Sequence, residues 1–524
     1  MTKFLTFLIL FSSYTLLTAQ DFTRSQLPTE LTTPWEITYG PDDMLWLTES
    51  GGNVVRVDPN TGQKTTVYTA PDYFGGSPLE QLQRCFMPNI GSGTLGLDLH
   101  PDFLNPDNAY IYFLYSYNRG STITPDTRFK LARLTWDWQS QTVTNKTDLV
   151  TEFSNGYDHW GGRVMAIMRD DGKPYIFVTI GDHGISEINS PDCYENQAEN
   201  PNNFPQDPST DNGKVHRFNI DGTIPADNPI PGNSFYTRGH RNPQGLMYNP
   251  GEDLLFDAEH GDRTDDEVNL LEAGMNYGWK WVRGYHGDNN YPGEAEFIAD
   301  YTPHPMIEGD RLVEAFYSFC AQPQPSSDEY LEWCTPAPSD GIYYGSTGIP
   351  EWTNSLLVVS LKNGTVTDNE VHVLKLTPDG RGLLPSTSDN PNPETFFGED
   401  QGKNGRLRDI AYSPDGKKIF LINNFGGDGV DKITVYTLNS TATEDIKEAD
   451  ASIQFYPNPA SERMMVTSKE GIEQLDVYDL SGKLMLSEKE KVTELNVNDL
   501  PEGMYIAKMY TTNGIIASKK FVKQ

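Results

Sequence analysis

Short apolar runs, each closed by a turn rich in glycine, proline and aspartate, recur along most of this chain. Between about residues 33 and 438 they fall into one repeating unit. An apolar strand leads to a turn such as PDG or PGED, then to a second strand, a Gly-rich loop and often a third strand. Clear copies begin at Pro34 (PWEITYGPDDMLWLTESGGNVVRVDPNTG), Val164 (VMAIMRDDGKPYIFVTIGDHG), Asn242 (NPQGLMYNPGEDLLFDAEHGD), Asn354 (NSLLVVSLKNGTV) and Arg406 (RLRDIAYSPDGKKIFLINN). The segment GLDLHPDF…AYIYFLYSYN brings the number to about six. Strand-and-turn units repeating every 40 to 90 residues or so predict an all-β, six-bladed β-propeller whose blades surround a central channel. The stretches 185–211 and 284–338 interrupt the unit and are predicted as loops at the blade ends.

The pattern changes at both ends. Lys3 precedes an apolar run from Phe4 to Leu17 that exits through Thr18-Ala19-Gln20, which predicts a signal peptide over 1–20. No other stretch is long enough for a transmembrane segment. The propeller is then expected over 21–438, followed by a polar, acidic linker at 439–451. A separate module at 452–524 has alternating strands around a Ser481-Gly482 turn and is predicted as a small C-terminal β-sandwich.

Composition narrows the function classes. The formal net charge is -34, which argues against nucleic acid as a partner and offers carboxylates to a hard cation such as calcium. The 46 glycines and 36 prolines suit many turns between short strands. The four cysteines, Cys85, Cys193, Cys320 and Cys334, predict two disulfides in an exported chain. Cys320 with Cys334 is the close pair, and Cys85 with Cys193 is what remains.

Four motifs carry candidate chemistry. In NGYDHWGGR, from Asn155, a neutral His159 imidazole can take a proton from a hydroxyl while the neighbouring Asp158 carboxylate fixes its tautomer. The same residues also suit a polar turn between strands. In RGHRNPQG, from Arg238, Arg241 offers a rigid fork for carboxylates and the Asn242 amide can bond a carbonyl. EHGDRTDDE, from Glu259, crowds five acids into nine residues, which is unfavourable unless a cation is near and fits calcium or a solvated acidic loop. In GRLRD, Arg406 and Arg408 are two apart and share one strand face. With Lys362 of SLKNG they would suit a polyanionic ligand.

Taken in order along 33–438, GLDLHPDF, DHWGGR, GKVHRFNIDGTIPADNP, GHRNPQG, DDEVNLLEAGMNYGW, SLKNG and RLRDIAYSPDG resemble the soluble glucose dehydrogenases that use pyrroloquinoline quinone (PQQ), the glucose/sorbosone or aldose sugar dehydrogenase family. The resemblance implies a secreted quinoprotein that oxidises an aldose sugar at C1 to the lactone and passes electrons through PQQ to an external electron acceptor. It implies that His159 is the general base with Asp158 beside it, and that Arg241 stabilises charge on the reduced cofactor. Arg241, Asn242, Lys362, Arg406 and Arg408 would hold PQQ. Carbonyls at Gly261 and Asp262 would bind the catalytic calcium, and Glu267 and Tyr277, with the region 283–285, structural calcium. A Cys320–Cys334 bridge is implied as well.

Three positions depart from the family pattern. Gly91 stands where a glutamine contacts the quinone, which removes one hydrogen bond worth roughly 1 kcal/mol. Trp160 replaces a polar residue beside the base. Asp262 replaces a proline and adds a carboxylate to the calcium loop. The final module, with FYPNPAS, DLSGK, GMYIAKM and its basic end, resembles the C-terminal sorting domain of the Bacteroidetes type IX secretion system, which implies that secretion machinery as a partner. The competing function is a non-catalytic secreted propeller that binds glycan or protein, as in the Hedgehog-interacting type of domain.

Overall fold

The computed structural model describes residues 21–75, 93–120, 126–156, 158–183, 204–287, 291–321, 335–361, 370–388, 390–398, 405–424, 431–439, 454–467, 471–479, 483–489, 491–511 and 516–524. The expected signal peptide, nearly all of the linker, Gly91, Lys362, Cys85, Cys193 and Cys334 lie outside these residues. Cys320 is disulfide-bonded. No helix among the described residues is long and apolar enough to cross a membrane.

The chain divides into two compact units, one over Arg24–Thr437 and the other centred on Leu438–Gln524. In the first, six four-stranded antiparallel sheets form six blades. Their inner strands are Pro34–Tyr39, Thr94–Leu99, Gly161–Met168, Asn242–Asn249, Pro338–Tyr344 and Arg406–Tyr412, numbered here as blades 1 to 6. Each inner strand touches the next, and the sixth touches the first, so the ring closes. Five blades are meanders of consecutive strands. The sixth is completed by Phe22–Gln26 from before the repeat, as its outermost strand. The sequence pattern begins its unit at about residue 33 and misses this closure, because the closing strand is one short, half-exposed segment detached from the unit it joins.

The core lies between blades, which explains the apolar runs. A middle strand such as Ser355–Ser360 is buried at every residue because another blade covers each face. Blades 1 and 2 meet through Trp46, Leu97 and Phe113, and blades 6 and 1 through Ile37, Leu47, Phe420 and Ile422.

The inner strands also share a polar device. Each contains a register shift near its start: at Pro34/Ile37, Thr94/Leu97, Gly161/Val164, Pro243/Gly245, Pro338/Asp340 and Leu407/Asp409. Such bulges re-aim side chains, and here acids beside them cross to neighbouring blades. Asp409 accepts the Ile37 N–H at 2.7 Å, Glu36 that of Leu97 at 3.3 Å, Asp98 that of Ala166 at 2.8 Å, and Asp340 that of Leu246 at 3.2 Å. At the centre stands Arg163, the last residue of DHWGGR. Its guanidinium pairs with Glu36, Asp340 (2.9 Å) and Asp409 (3.1 Å) and donates to the Gln244 carbonyl at 3.0 Å. One side chain of blade 3 thus ties blades 1, 4, 5 and 6. Burial favours its neutral form, but Asp340, Glu36 and Asp409 outweigh that and keep it charged.

The second unit holds two sheets. One comprises Gln454–Tyr456, Arg463–Thr467 and Glu494–Asn496; the other comprises Leu484–Lys489, Ile472–Tyr478, Gly503–Thr511 and Ile516–Lys523. Met464, Val466 and Leu495 of the first pack with Leu475, Val477, Met509 and Phe521 of the second in one core, the sandwich that the alternating pattern predicts.

Candidate active site

Antiparallel pairing sets the site. In blade 3, Gly161 pairs with Ile180, so His159, two residues before one strand, stands opposite Asp182, two residues after the other. Asp182 is fully buried, and its Oδ1 lies 2.7 Å from His159 Nδ1. Its Oδ2 accepts the Trp279 indole N–H at 2.8 Å. A buried carboxylate at Nδ1 fixes the tautomer that leaves Nε2 as the base. Asp158 does something else: its Oδ1 accepts the His159 backbone N–H at 2.9 Å. The imidazole's carboxylate partner is therefore Asp182, and Asp158 braces the loop. That brace matters because His159 has a φ of 45°, a left-handed conformation that costs a non-glycine residue roughly 1–2 kcal/mol. Gly162, at φ 90°, has no room for a side chain, since a Cβ would lie 2.5 Å from Leu95 Cδ1.

Blade 4 repeats the geometry. Asn242 pairs with His260, which sets Arg241 opposite Gly261. Arg241 donates from Nη1 to the His260 carbonyl at 3.2 Å, and its guanidinium lies 5.6 Å from the Trp279 ring centroid. Asn242 Oδ1 accepts the Gly161 N–H at 3.1 Å, joining blades 3 and 4. From blade 6, Arg408 lies 3.2 Å above the Trp35 ring and donates to Gln244 Oε1 at 2.7 Å.

These residues converge on a cavity of about 530 Å³ at one mouth of the channel. His159, Asp158, Arg241, Asn242, Gly261, Asp262, Arg406 and Arg408 all line it, with Trp35, Trp160, Gln244, His260, Asp266 and Thr335. Leu361 also lines it. Arg408 Nε and His260 Nε2 have no hydrogen-bond partner among the described residues. Burial, then the Arg163 and Arg406 charges, make the Arg408 cation unfavourable, which an anionic ligand would relieve. Burial, then Arg241 and Arg408, push His260 well below the usual imidazole value, so it stays neutral.

The acidic loop is tightly turned at Gly261, where a Cβ would lie 2.3 Å from the carbonyl oxygens of Thr264 and Asp265. The Gly261 N–H donates to Asp266 Oδ1 at 2.7 Å, and Asp266 Oδ2 accepts the Ala337 N–H at 2.7 Å. The Asp262 side chain pairs with Arg283. Despite burial, Arg283 and then Arg241 hold its pKa below the ordinary value. The extra carboxylate at this position is thus taken up by an arginine. Glu267 and Tyr277 do not line the main cavity. They border a separate space of about 10 Å³, the size of one ion or water, with Asp265 and Arg283. The Tyr277 hydroxyl donates to the Leu270 carbonyl at 2.5 Å, so only its backbone oxygen could serve a cation.

A closed propeller whose channel mouth combines an oriented imidazole, an arginine cluster and a carboxylate-rich loop defines a class of protein fitted to hold an anionic ligand. Within that class the chain belongs to the glucose/sorbosone dehydrogenase family of sugar oxidoreductases, whose model matches residues 31–430. Residues 454–524 match the secretion system C-terminal sorting domain, which indicates export to the cell surface or beyond. The chain is 30% identical over 452 residues to quinoprotein glucose dehydrogenase B of Acinetobacter calcoaceticus, covering 78% of this chain and 87% of that protein. It is 27% identical over 419 residues to aldose sugar dehydrogenase YliI of Escherichia coli strain K12, covering 77% and 90%. The fold is similar to that of the PQQ-bound aldose sugar dehydrogenase of Streptomyces coelicolor, with a TM-score of 0.54, 20% identity and coverage of 80% and 99%.

Proposed function

We propose that the protein is a PQQ- and calcium-dependent dehydrogenase that oxidises an aldose at C1 to the lactone. The observation that carries this reading is one cavity lined by both an oriented imidazole and a buried arginine whose Nε has no hydrogen-bond partner among the described residues. PQQ bears three carboxylates and an o-quinone, and the donor set suits them: Arg241, Arg406 and Arg408 for the anionic groups and the Asn242 amide for a carbonyl, with Lys362 as a further cation. Gly261 and Asp262 would give calcium backbone oxygens beside the Asp266 carboxylate, a ligand class that it favours. Glu267 and Tyr277 would serve a structural calcium, the latter through its backbone.

When bound, the quinone supplies a two-electron acceptor and calcium a Lewis acid beside it. His159 Nε2 would take the proton of the anomeric hydroxyl while the sugar gives up a hydride at C1 and becomes the lactone, with the bound quinone as the two-electron acceptor. Asp182 would stabilise the imidazolium that results, and Trp279 holds Asp182 in place. Arg241 and Arg408 would hold the cofactor's anionic groups and stabilise negative charge on it. An external acceptor would take the two electrons onward. Trp160 and Thr335, at the wall beside His159, would contact the sugar. Export would begin at the signal peptide over 1–20 and finish through the sorting domain.

Purified apoprotein supplied with calcium and PQQ should reduce a dye in the presence of aldoses, and His159→Ala should not. Absence of PQQ binding at micromolar cofactor would exclude this reading and leave a binding propeller.

A further inference from the structure

Behind the active site, blade 4 carries a second group of polar side chains that the proposed oxidation does not use. Asp257 and Glu259 are two apart on the strand Leu254–His260 and so face the same way. His240, from the corner before the inner strand, reaches between them. Its Nδ1 lies 2.7 Å from Glu259 Oε2 and 3.3 Å from Asp257 Oδ2. The three side chains are no more than 5% exposed, and their ligand atoms lie within 4.8 Å of one another.

Hydrogen bonding alone leaves this group unbalanced. One imidazole nitrogen carries at most one hydrogen, and two acids converge on it. The shorter contact serves Glu259, whose Oε1 already accepts the Arg241 backbone N–H. Asp257 is left over: neither of its oxygens has a hydrogen-bond partner among the described residues. Its cross-strand neighbour Asn269 gives one of its two amide hydrogens to Glu267 at 3.1 Å, and its effect on Asp257 is small beside that of burial. The Lys214 ammonium donates to the Pro205 and Asn212 carbonyls. A fully buried carboxylate with no partner is strongly unfavourable. The other imidazole nitrogen, Nε2, meets Thr237 Oγ1 at 2.9 Å, the outer contact that commonly orients a metal-bound histidine.

We propose that His240, Asp257 and Glu259 bind a divalent transition metal, with zinc the best match, at a site away from the expected catalytic calcium and adjoining, through Glu259, the small space that Glu267 and Tyr277 border. One imidazole nitrogen with two carboxylate oxygens suits zinc, with a water completing the tetrahedron. Calcium prefers six to eight oxygens and would be a poor occupant. Zinc there would cross-link the hairpin of blade 4 to the corner that carries Arg241, fixing the arginine from behind.

The test uses the full chain, stripped with chelator and then dialysed against Zn²⁺ with calcium in excess to fill the oxygen-only positions. Wild type should hold one more zinc per chain than Asp257→Asn, and diffraction at the zinc edge should place an anomalous peak between the three side chains. Zinc should raise the unfolding temperature of wild type and leave that of Asp257→Asn unchanged. His240→Asn, which leaves both acids in place, should lose the same equivalent if Asp257→Asn folds poorly. Equal zinc content in wild type and variants, or no anomalous peak at this position, would overturn the proposal and assign Asp257 a proton or a water instead.

Discussion

The two ends of the propeller channel hold cavities of nearly equal volume, about 530 and 510 Å³, with opposite chemistry. The first gathers Arg241, Arg406 and Arg408 around an imidazole. The second is lined by Glu36, Asp98, Asp340 and Asp409 around the single guanidinium of Arg163. Size does not distinguish them; the state of their charged groups does. Each acid at the second end accepts a backbone N–H from an adjacent blade, so these carboxylates already serve the fold. The unpartnered group there, among the described residues, is the uncharged imidazole nitrogen His100 Nε2. At the first end a cation is involved: Arg408 Nε, with His260 Nε2, has no hydrogen-bond partner among the described residues. A ligand site is the place where charged hydrogen-bonding capacity remains after the fold has been satisfied.

The contrast predicts that substitutions at the two ends fail in different ways. The largest effect belongs to His159→Ala, which should lower turnover by about 10²–10⁴ in dye reduction while leaving the urea unfolding midpoint nearly unchanged. Arg163→Met should do the reverse. Removing the one cation from a buried cluster of acids leaves their charges uncompensated, a loss of about 3–5 kcal/mol, read as a lower midpoint in the same unfolding experiment. If Arg163→Met lost activity with no loss of stability, the division between a structural end and a functional end would be wrong.

How far the sequence reveals this depends on what each feature needs. The six units are legible because a strand buried on both faces reads as an unbroken apolar run, and a meander keeps its turns at regular intervals. The closure by Phe22–Gln26 is not, because the partner strands lie some 400 residues away, as in the Leu27 to Ile433 hydrogen bond. His159 and Arg241 stand out locally, with an acid or an amide beside them. Asp182 and Trp279 do not, since they reach the base only through the blade 3 hairpin and an indole from a later loop. The signal for Asp182 was present only in part: the DGK turn brings the end of one strand to the start of the other, but the bulge at Gly161/Val164 sets Asp182 opposite His159 rather than Trp160. Gln244 stands out beside Asn242 in RGHRNPQG as an amide able to bond a carbonyl, but Trp35 was hidden because a strand start in a tunnel cannot be told by pattern from one in a core.

The choice of carboxylate partner gives a finer version of the same comparison. Asp182→Asn should lower turnover at least tenfold and alter its pH dependence, because the amide cannot stabilise an imidazolium at Nδ1. Asp158→Asn loses only a charge-assisted bond to a backbone N–H, so a fall equivalent to about 1 kcal/mol or a little more is expected. Parallel pH–rate profiles of both variants would check this, and equal losses would restore Asp158 as the imidazole's partner.

The pH dependence of stability is where Asp98, at the acidic end, enters the comparison. Burial raises its pKa to about 7, against the opposing help of the Ala166 and Leu99 N–H groups and the Arg163 charge. In the unfolded chain the same carboxyl ionises near its ordinary value of 3.8. For an acid raised in the fold, the unfolded state releases its proton first. The contribution of Asp98 is therefore fully present below about pH 4 and is lost as pH rises towards 7. Two buried histidines run the other way. His183 and His216 are both lowered to about 4 by burial, so their contribution is present above about pH 6.5 and is lost as pH falls through 4. Wild-type stability between these limits is a sum of opposed slopes, and Asp98→Asn removes one of them. The variant should gain stability more steeply than wild type from pH 4 to 7 in urea unfolding, with activity at neutral pH unchanged because Asp98 lies at the far end of the channel. Parallel pH profiles of stability for the two proteins would mean that water in the lower cavity solvates Asp98 well enough to keep it ionised in the fold.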